Sequence, residues 1–209
     1  MNATPDLNPL QADARIALAC LDLTSLNPDD DAASVQRLCQ RAQSRFGPVA
    51  AVCVWPRLAA LARAQQVDLV LPYAALLAGD DATVQALLRA VRQTCPGLLL
   101  KVILETGVLQ DPALIARASQ ISIDAGADFL KTSTGKTPIS ATPQAAQVML
   151  ETIASQNRAN LGFKASGGIR SVTDAALYIA LTRQHLGAAA LQPTRLRLGA
   201  SSLLDDIEA

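Results

Sequence analysis

The chain has 209 residues, half of them hydrophobic, and its 18 basic and 18 acidic side chains give a formal net charge of zero. Because there is no basic excess to neutralise phosphates, the composition argues against binding to nucleic acid or to an anionic membrane. The N-terminal residues lack the pattern of a signal peptide, and no apolar run is long enough to span a bilayer, so we expect a cytoplasmic protein.

Short apolar runs alternate with longer amphipathic stretches along the chain. The runs predict strands over 16–23, 49–54, 67–71, 98–104, 127–132, 161–165 and 195–198. The stretches between them predict helices over 30–45, 57–65, 81–94, 111–125, 143–157, 171–186 and a short helix from 202. Runs that are apolar on both faces are typical of parallel strands covered by helices. The alternation therefore predicts a single α/β domain over residues 1–209.

Helix starts are marked by capping residues. Thr142 precedes Pro143, which places a side-chain acceptor before a proline at the first helical position. Ser171 is followed three residues later by Asp174, an arrangement that resembles a capping box.

Polar residues concentrate where the predicted strands end. Asp22 and Thr24 lie at the end of the first strand, and Glu105 lies at the end of the fourth. Polar segments at 131–136, 164–168 and 199–202 lie at the ends of the last three. In a (β/α) barrel or an open doubly wound sheet, the ligand lies at this edge. The dinucleotide fingerprint GxGxxG is absent, which argues against a bound dinucleotide, and the single histidine, His185, makes a histidine-based metal site improbable.

Two lysines lie in otherwise apolar strands. Lys131 lies in ADFLKTSTGK and Lys164 in LGFKASGG. Burial and a neighbouring positive charge both depress the pKa of a lysine, which makes its free amine a nucleophile. The alternative is that each lysine ends its strand and extends to solvent.

Three small-residue loops precede helices, at 133–136, 166–170 and 199–202. Loops of this kind expose backbone N–H groups that hold phosphate, and in barrels the phosphate site is formed by the loops after the last two strands. Tight turns also need glycine and serine, so each loop taken singly is a weak signal.

Carboxylates are the remaining ingredient of the predicted site. Asp68 begins the run VDLVLP, where an acid either has a function or marks the solvated start of a strand. Lys101 and Glu105 are four residues apart in KVILET, so strand alternation predicts that they share a face and form a buried ion pair of structural value.

These segments together resemble the deoxyribose-phosphate aldolase family. The motifs that carry the resemblance are KVILETG, DAGADFLKTSTGK, GFKASGGIR and LGASSLL, with LDLTSLNPDD, AAVCVWPR and VDLVLPYAALLAGD upstream. The resemblance covers nearly the whole chain. It implies a TIM (β/α)8-type barrel, without metal or cofactor, that reversibly cleaves 2-deoxy-D-ribose 5-phosphate to acetaldehyde and D-glyceraldehyde 3-phosphate.

The resemblance also implies roles for individual residues. Lys131 matches the Schiff-base lysine, Lys164 the second lysine that lowers the pKa of the first, and Asp68 the acid/base aspartate. The residues that match the substrate- and phosphate-binding positions are Asp22, Thr24, Thr134, Gly135, Lys136, Gly167, Gly168, Gly199, Ser201 and Ser202.

The chain departs from the family pattern between 57–65 and the strand that carries Asp68. Family members have another strand and helix there, so one β/α unit, the third, is missing. The resemblance thus predicts a barrel reduced to seven units, which could close, stay open, or cover its gap by association as a homodimer.

Two alternatives to an active lyase remain at this point. The first is a weakly active or inactive relative that only binds a sugar phosphate through the glycine loops. The second is a sugar-phosphate isomerase or a different class I aldolase on the same fold, which would not be expected to share KTSTGK and KASGGIR. In each case the partners are small sugar phosphates and aldehydes.

Overall fold

A computed structural model of the protein describes residues 8–25, 29–53 and 66–209. In chain order, the strands are β1 (Leu21–Thr24), β2 (Gln43–Ser44), β3 (Gly47–Pro48), β4 (Ala51–Cys53), β5 (Gln66–Val70), β6 (Leu99–Ile103), β7 (Phe129–Lys131), β8 (Gly162–Ser166) and β9 (Leu196–Gly199). Strands β2 and β3 form a small antiparallel hairpin, and the other seven form one parallel sheet. The predicted α/β fold with seven strands is confirmed.

Helices follow most strands and surround the sheet. They are α1 (Pro9–Ala19), α2 (Ala32–Arg41), α3 (Tyr73–Leu77), α4 (Asp81–Thr94), α5 (Thr106–Leu109), α6 (Pro112–Asp124), α7 (Pro143–Ser155), α8 (Val172–Leu186) and α9 (Leu203–Glu208). The helix predicted over 57–65 lies outside the described residues.

The predicted helix starts are confirmed in detail. The Thr142 side chain accepts a hydrogen bond from the backbone N–H of Ala145. The side chains of Ser171 and Asp174 each accept from the backbone N–H of the other residue, which completes a capping box. These bonds satisfy N–H groups that have no partner within the helix.

The sheet order is β4-β1-β9-β8-β7-β6-β5, so β4 and β5 are its two ends. The missing third unit would lie between these strands, and within the described ranges no strand joins them. Both are only half-buried, whereas β7, β8 and β9 are buried throughout. A strand that lacks a neighbour loses the burial that the neighbour would supply, so the side chains of β4 and β5 are more exposed than those of the central strands.

One strand prediction was wrong in extent. The apolar run 16–23 is divided, because its first four residues complete α1 and only the part from Leu21 is strand. Pro9 occupies the first helical position, and Asn8 accepts a hydrogen bond from the N–H of Leu10. Ala17 and Leu18 are buried in the core. A short apolar run cannot distinguish a buried helix from a buried strand by periodicity alone.

The close approach between β7 and β8 generates a prediction about stability. A methyl group on Gly162 would lie 2.3 Å from Cε1 of Phe129, which is a buried side chain of the core. We expect Gly162→Ala to lower the free energy of unfolding by about 1–3 kcal/mol, because the ring must leave its packed position. Urea denaturation measures this, and Phe129→Leu in the same background should reduce the cost. An unchanged free energy of unfolding would contradict the prediction.

Candidate active site

Lys131 and Lys164 are neighbours across two central strands. They are register partners in β7 and β8, and their exposed fractions are 2% and 0%. The alternative in which each lysine extends to solvent is therefore wrong. Two buried amines side by side need compensating carboxylates, or one of them must be neutral.

Asp68 lies between the two lysines, although it comes from the end strand β5. Its Oδ2 atom is 3.4 Å from Nζ of Lys131 and 3.7 Å from Nζ of Lys164. Burial alone would raise the pKa of Asp68, but the charges of Lys164 and Lys131 outweigh it and lower the pKa. Although β5 is an end strand of the sheet, Asp68 therefore faces both lysines.

Asp22 is a second carboxylate, fully buried beneath the lysines. Its Oδ2 atom is 2.6 Å from Nζ of Lys164 and 3.2 Å from Nζ of Lys101, and its Oδ1 atom is 2.5 Å from Nη1 of Arg197. Strands β1 and β6 are four steps apart in the sheet order, roughly 19 Å in a flat sheet. The contact between Asp22 and Lys101 therefore crosses the interior of a strongly curved sheet.

The two lysines differ in their pKa. Burial lowers the pKa of Lys131, and the positive charge of Lys164 lowers it further. Burial alone would lower the pKa of Lys164 as well, but the carboxylates of Asp22 and Asp68 outweigh it and raise the pKa. Of these two amines, Lys131 therefore loses its proton more readily than Lys164.

A cavity of about 410 Å³ opens at the carboxyl ends of the strands. Nine of the ten predicted substrate- and phosphate-binding residues line it: Thr24, Thr134, Gly135, Lys136, Gly167, Gly168, Gly199, Ser201 and Ser202. Asp22 is the exception, because its side chain is fully buried in ion pairs with Lys101, Lys164 and Arg197. A Cβ atom on Gly199 would lie 3.0 Å from Cε of Lys164, so this glycine leaves room for the lysine beside the cavity.

Glu105 anchors the loop that carries Lys136. Its carboxylate accepts hydrogen bonds from the N–H of Thr134 (3.2 Å), from Oγ1 of Thr134 (2.6 Å) and from Oγ1 of Thr137 (3.1 Å). Glu105 has φ 55°, a left-handed conformation that side chains other than glycine rarely adopt. Strained backbone that surrounding bonds hold in place is typical of functional sites.

The predicted ion pair between Lys101 and Glu105 is wrong. Strand β6 ends at Ile103, so Glu105 lies beyond the alternation and turns towards the loop. Lys101 is fully buried and instead contacts Asp22 and Oε1 of Gln66, at 2.5 Å from the latter.

Sequence reasoning missed Lys101 and Gln66 as members of the site, although one signal was available. The chain has only four lysines, and its other cationic side chains are arginines. All four lysines lie between β6 and β8, and three of them are buried. Because arginine is always charged and lysine can lose its proton, buried lysines in a chain otherwise rich in arginine indicate positions where a titratable amine has a function.

Among the described residues, no cluster of three or more histidine, cysteine, aspartate or glutamate side chains could hold a metal ion. No helix in the described ranges is long and apolar enough to cross a membrane. The lining of the cavity supplies hydroxyl groups, backbone N–H groups, the amine of Lys136 and the guanidinium group of Arg170.

The sequence and the fold both match known aldolases. The family described as DeoC/LacD family aldolase matches residues 57–209. Deoxyribose-phosphate aldolase from Agrobacterium fabrum (strain C58 / ATCC 33970) is 40% identical over 243 residues, covering 98% of this chain and 93% of that protein. The alignment is longer than this chain of 209 residues, so the relative has residues where this chain has none.

Two solved structures share the fold over most of their length. The aldolase QR15 is 25% identical, with a TM-score of 0.76 and coverage of 92% of this chain and 94% of that one. Deoxyribose phosphate aldolase from Aeropyrum pernix, which is tetrameric, is 22% identical, with a TM-score of 0.72 and coverage of 98% and 97%. With the family match over most of the chain and 40% identity to a relative of nearly equal extent, this chain belongs to the DeoC/LacD aldolase family.

Proposed function

We propose that this aldolase is a class I enzyme that reversibly cleaves 2-deoxy-D-ribose 5-phosphate to acetaldehyde and D-glyceraldehyde 3-phosphate, with Lys131 as the Schiff-base lysine. One observation carries the proposal: Lys131 is buried beside a second lysine, Lys164, whose amine contacts the carboxylates of Asp22 and Asp68. A neutral amine in such a place is a nucleophile towards aldehydes. The 40% identity to a deoxyribose-phosphate aldolase supports the choice of substrate.

The first half of the reaction forms the Schiff base. The neutral amine of Lys131 attacks C1 of the open-chain sugar to give a carbinolamine, and loss of water gives an iminium ion. Water can leave only after its oxygen gains a proton. Lys164 supplies that proton, directly or through water. Asp68, which lies 3.4 Å from Lys131 and 3.7 Å from Lys164, takes up the proton that the amine loses on attack and returns it to Lys164.

The second half breaks the carbon–carbon bond. Acetaldehyde contains two carbons, so the bond that breaks joins C2 to C3. Its electron pair moves towards the iminium nitrogen to give an enamine, while the C3 hydroxyl gives its proton to Asp68, directly or through water, and becomes the aldehyde of glyceraldehyde 3-phosphate. The enamine then takes that proton at C2 from Asp68, and hydrolysis of the resulting iminium releases acetaldehyde and the free lysine.

The glycine loops account for the phosphate. Gly167 and Gly168 have positive φ and line the cavity together with Ser201, Ser202 and Lys136. Consecutive backbone N–H groups in such turns form a concave site for anions, and Lys136 adds a positive charge. A phosphate held there fixes one end of the sugar while C1 reaches Lys131.

A second candidate is a relative that binds the sugar phosphate without turnover. The half-buried state of β5 favours it, because this end strand carries Asp68. We further propose that the protein is a cytoplasmic, single-domain homodimer that acts in deoxyribonucleotide catabolism without a cofactor.

Borohydride trapping with acetaldehyde tests the proposal directly. Reductive alkylation of Lys131 should block tryptic cleavage there, so that a modified peptide spanning 118–136 replaces the one ending at Lys131. Lys131→Met should abolish the adduct and reduce cleavage of deoxyribose 5-phosphate to background, because it removes the nucleophile. The variant keeps the other three lysines and so controls for non-specific reduction. An adduct on another lysine would overturn the assignment, and binding of the sugar phosphate without an adduct would favour the second candidate.

The role of Glu105 in holding the phosphate loop is tested by Glu105→Gln. Glutamine has a single acceptor oxygen where the carboxylate has two, so the loop at 134–137 should loosen. KM for deoxyribose 5-phosphate should therefore rise about tenfold, which is the effect of one lost charged hydrogen bond. Unphosphorylated deoxyribose should be affected less. Glu151→Gln, on the exposed surface of α7, is the matched control. An equal effect on both substrates would contradict the role.

A further inference from the structure

The interior of the sheet holds more positive than negative groups. The cations are Lys101, Lys131, Lys164 and Arg197, and the described carboxylates that contact them are Asp22 and Asp68. Removing charges from water is costly unless each is paired, so an excess of two cations makes protonation of the least compensated amine unfavourable. How this excess is distributed decides which lysine is neutral.

Lys101 is part of this excess, although it is not one of the residues to which we assign a step of the reaction. Its Nζ atom is 3.2 Å from Oδ2 of Asp22, the same oxygen that lies 2.6 Å from Nζ of Lys164. The two lysines therefore share one carboxylate oxygen. The positive charge of Lys101 offsets part of the negative charge that Asp22 offers to Lys164.

Gln66 is the second partner of Lys101, and it is neutral. Its Oε1 atom accepts a hydrogen bond of 2.5 Å from Nζ of Lys101. A glutamate has nearly the same shape and would satisfy Lys101 better, because a carboxylate attracts an ammonium group more strongly than an amide does. The amide orients Lys101 without cancelling its charge.

We propose that Lys101, oriented by the amide of Gln66, is a positioning residue that keeps Asp22 from fully offsetting the charge of Lys164 and so helps to keep the amine of Lys131 nucleophilic. The inference deepens the proposed function and rests on it. The effect passes from Lys101 through Asp22 to Lys164, whose positive charge lowers the pKa of Lys131.

The groups around Lys101 fix the direction of the effect. They are Asp22 from β1, Gln66 and Asp68 from β5, the Phe129 ring from β7 at 5.2 Å, Lys164 from β8 and Arg197 from β9. Burial lowers the pKa of Lys101 to about 8, and Asp22 opposes this while Lys164 and Arg197 add to it. Lys101 acts on Asp22 in this way over the pH range in which its own amine is protonated.

The test uses the isosteric substitution Gln66→Glu. A carboxylate beside Lys101 lowers the net positive charge of the cluster by one, which stabilises protonated Lys131 and raises its pKa. Since the neutral amine is the reactive form, the acid limb of kcat/KM and the pH midpoint of borohydride trapping should both move to higher pH. A shift of one unit lowers kcat/KM about tenfold at a fixed pH on that limb. Lys101→Met removes the charge from the other partner and should shift both curves in the same direction.

Two matched variants separate charge from structure. Gln66→Met breaks the hydrogen bond that orients Lys101 but adds no charge to the cluster, so its midpoint should move less than that of Gln66→Glu even if its rate falls. Gln40→Glu, exposed on α2, makes the same change in formal charge away from the site and should leave the midpoint unchanged.

Each outcome has one meaning. Equal midpoints in wild type, Gln66→Glu and Lys101→Met would overturn the inference while leaving the proposed function intact. Equal shifts in Gln66→Glu and Gln66→Met would show a packing role and would also overturn it. If Gln66→Glu fails to fold by circular dichroism, Lys101→Met decides. Absence of any adduct in the wild-type protein would overturn the proposed function and, with it, this inference.

Discussion

The buried carboxylate of Asp22 is the contact on which the interior of this protein depends. It lies on β1 and bonds side chains from β6, β8 and β9, so one residue connects four strands across the inside of the sheet. Removing one partner of such a network leaves buried charges uncompensated, which costs several kcal/mol. The same contacts thus connect the strands across the curved sheet and set the charge balance around Lys164.

Curvature is also what preserves the site in a shortened sheet. The strands at the opening, β4 and β5, are not adjacent in the described sheet, yet Asp68 on β5 reaches Lys164 three strands away. The glycine loops follow β7, β8 and β9, which retain both neighbours. The loss of one unit therefore leaves both neighbours of the strands that carry Lys131, Lys164 and the glycine loops, whereas Asp68 lies on a strand at the opening.

Two lysines of the same chemical type differ here because of what lies beside each. Lys164 contacts two carboxylates, Asp22 at 2.6 Å and Asp68 at 3.7 Å. Among the described carboxylates, Lys131 contacts Asp68 alone, at 3.4 Å, and it faces the charge of Lys164. Neighbouring groups of one kind with separated pKa values are a general means of dividing acid, base and nucleophile within one site. Sequence motifs alone identify the pair of lysines but do not give this asymmetry its magnitude or its cause.

The sequence by itself determined the alternation of strands and helices, the capping residues of α7 and α8, the glycine loops, the two strand lysines and the seven-unit length, because these follow from local periodicity, turn chemistry and motif. It did not determine that Ile16 to Ala19 are helical, since a short buried run has no decisive period. Only the tertiary structure decided the partners of Lys101, the burial of Asp22 in ion pairs and the turn of Glu105 towards Thr134. Each depends on which strands meet across the interior and on where a strand ends, and contacts between residues as distant as Asp22 and Lys164 follow from the curvature of the whole sheet.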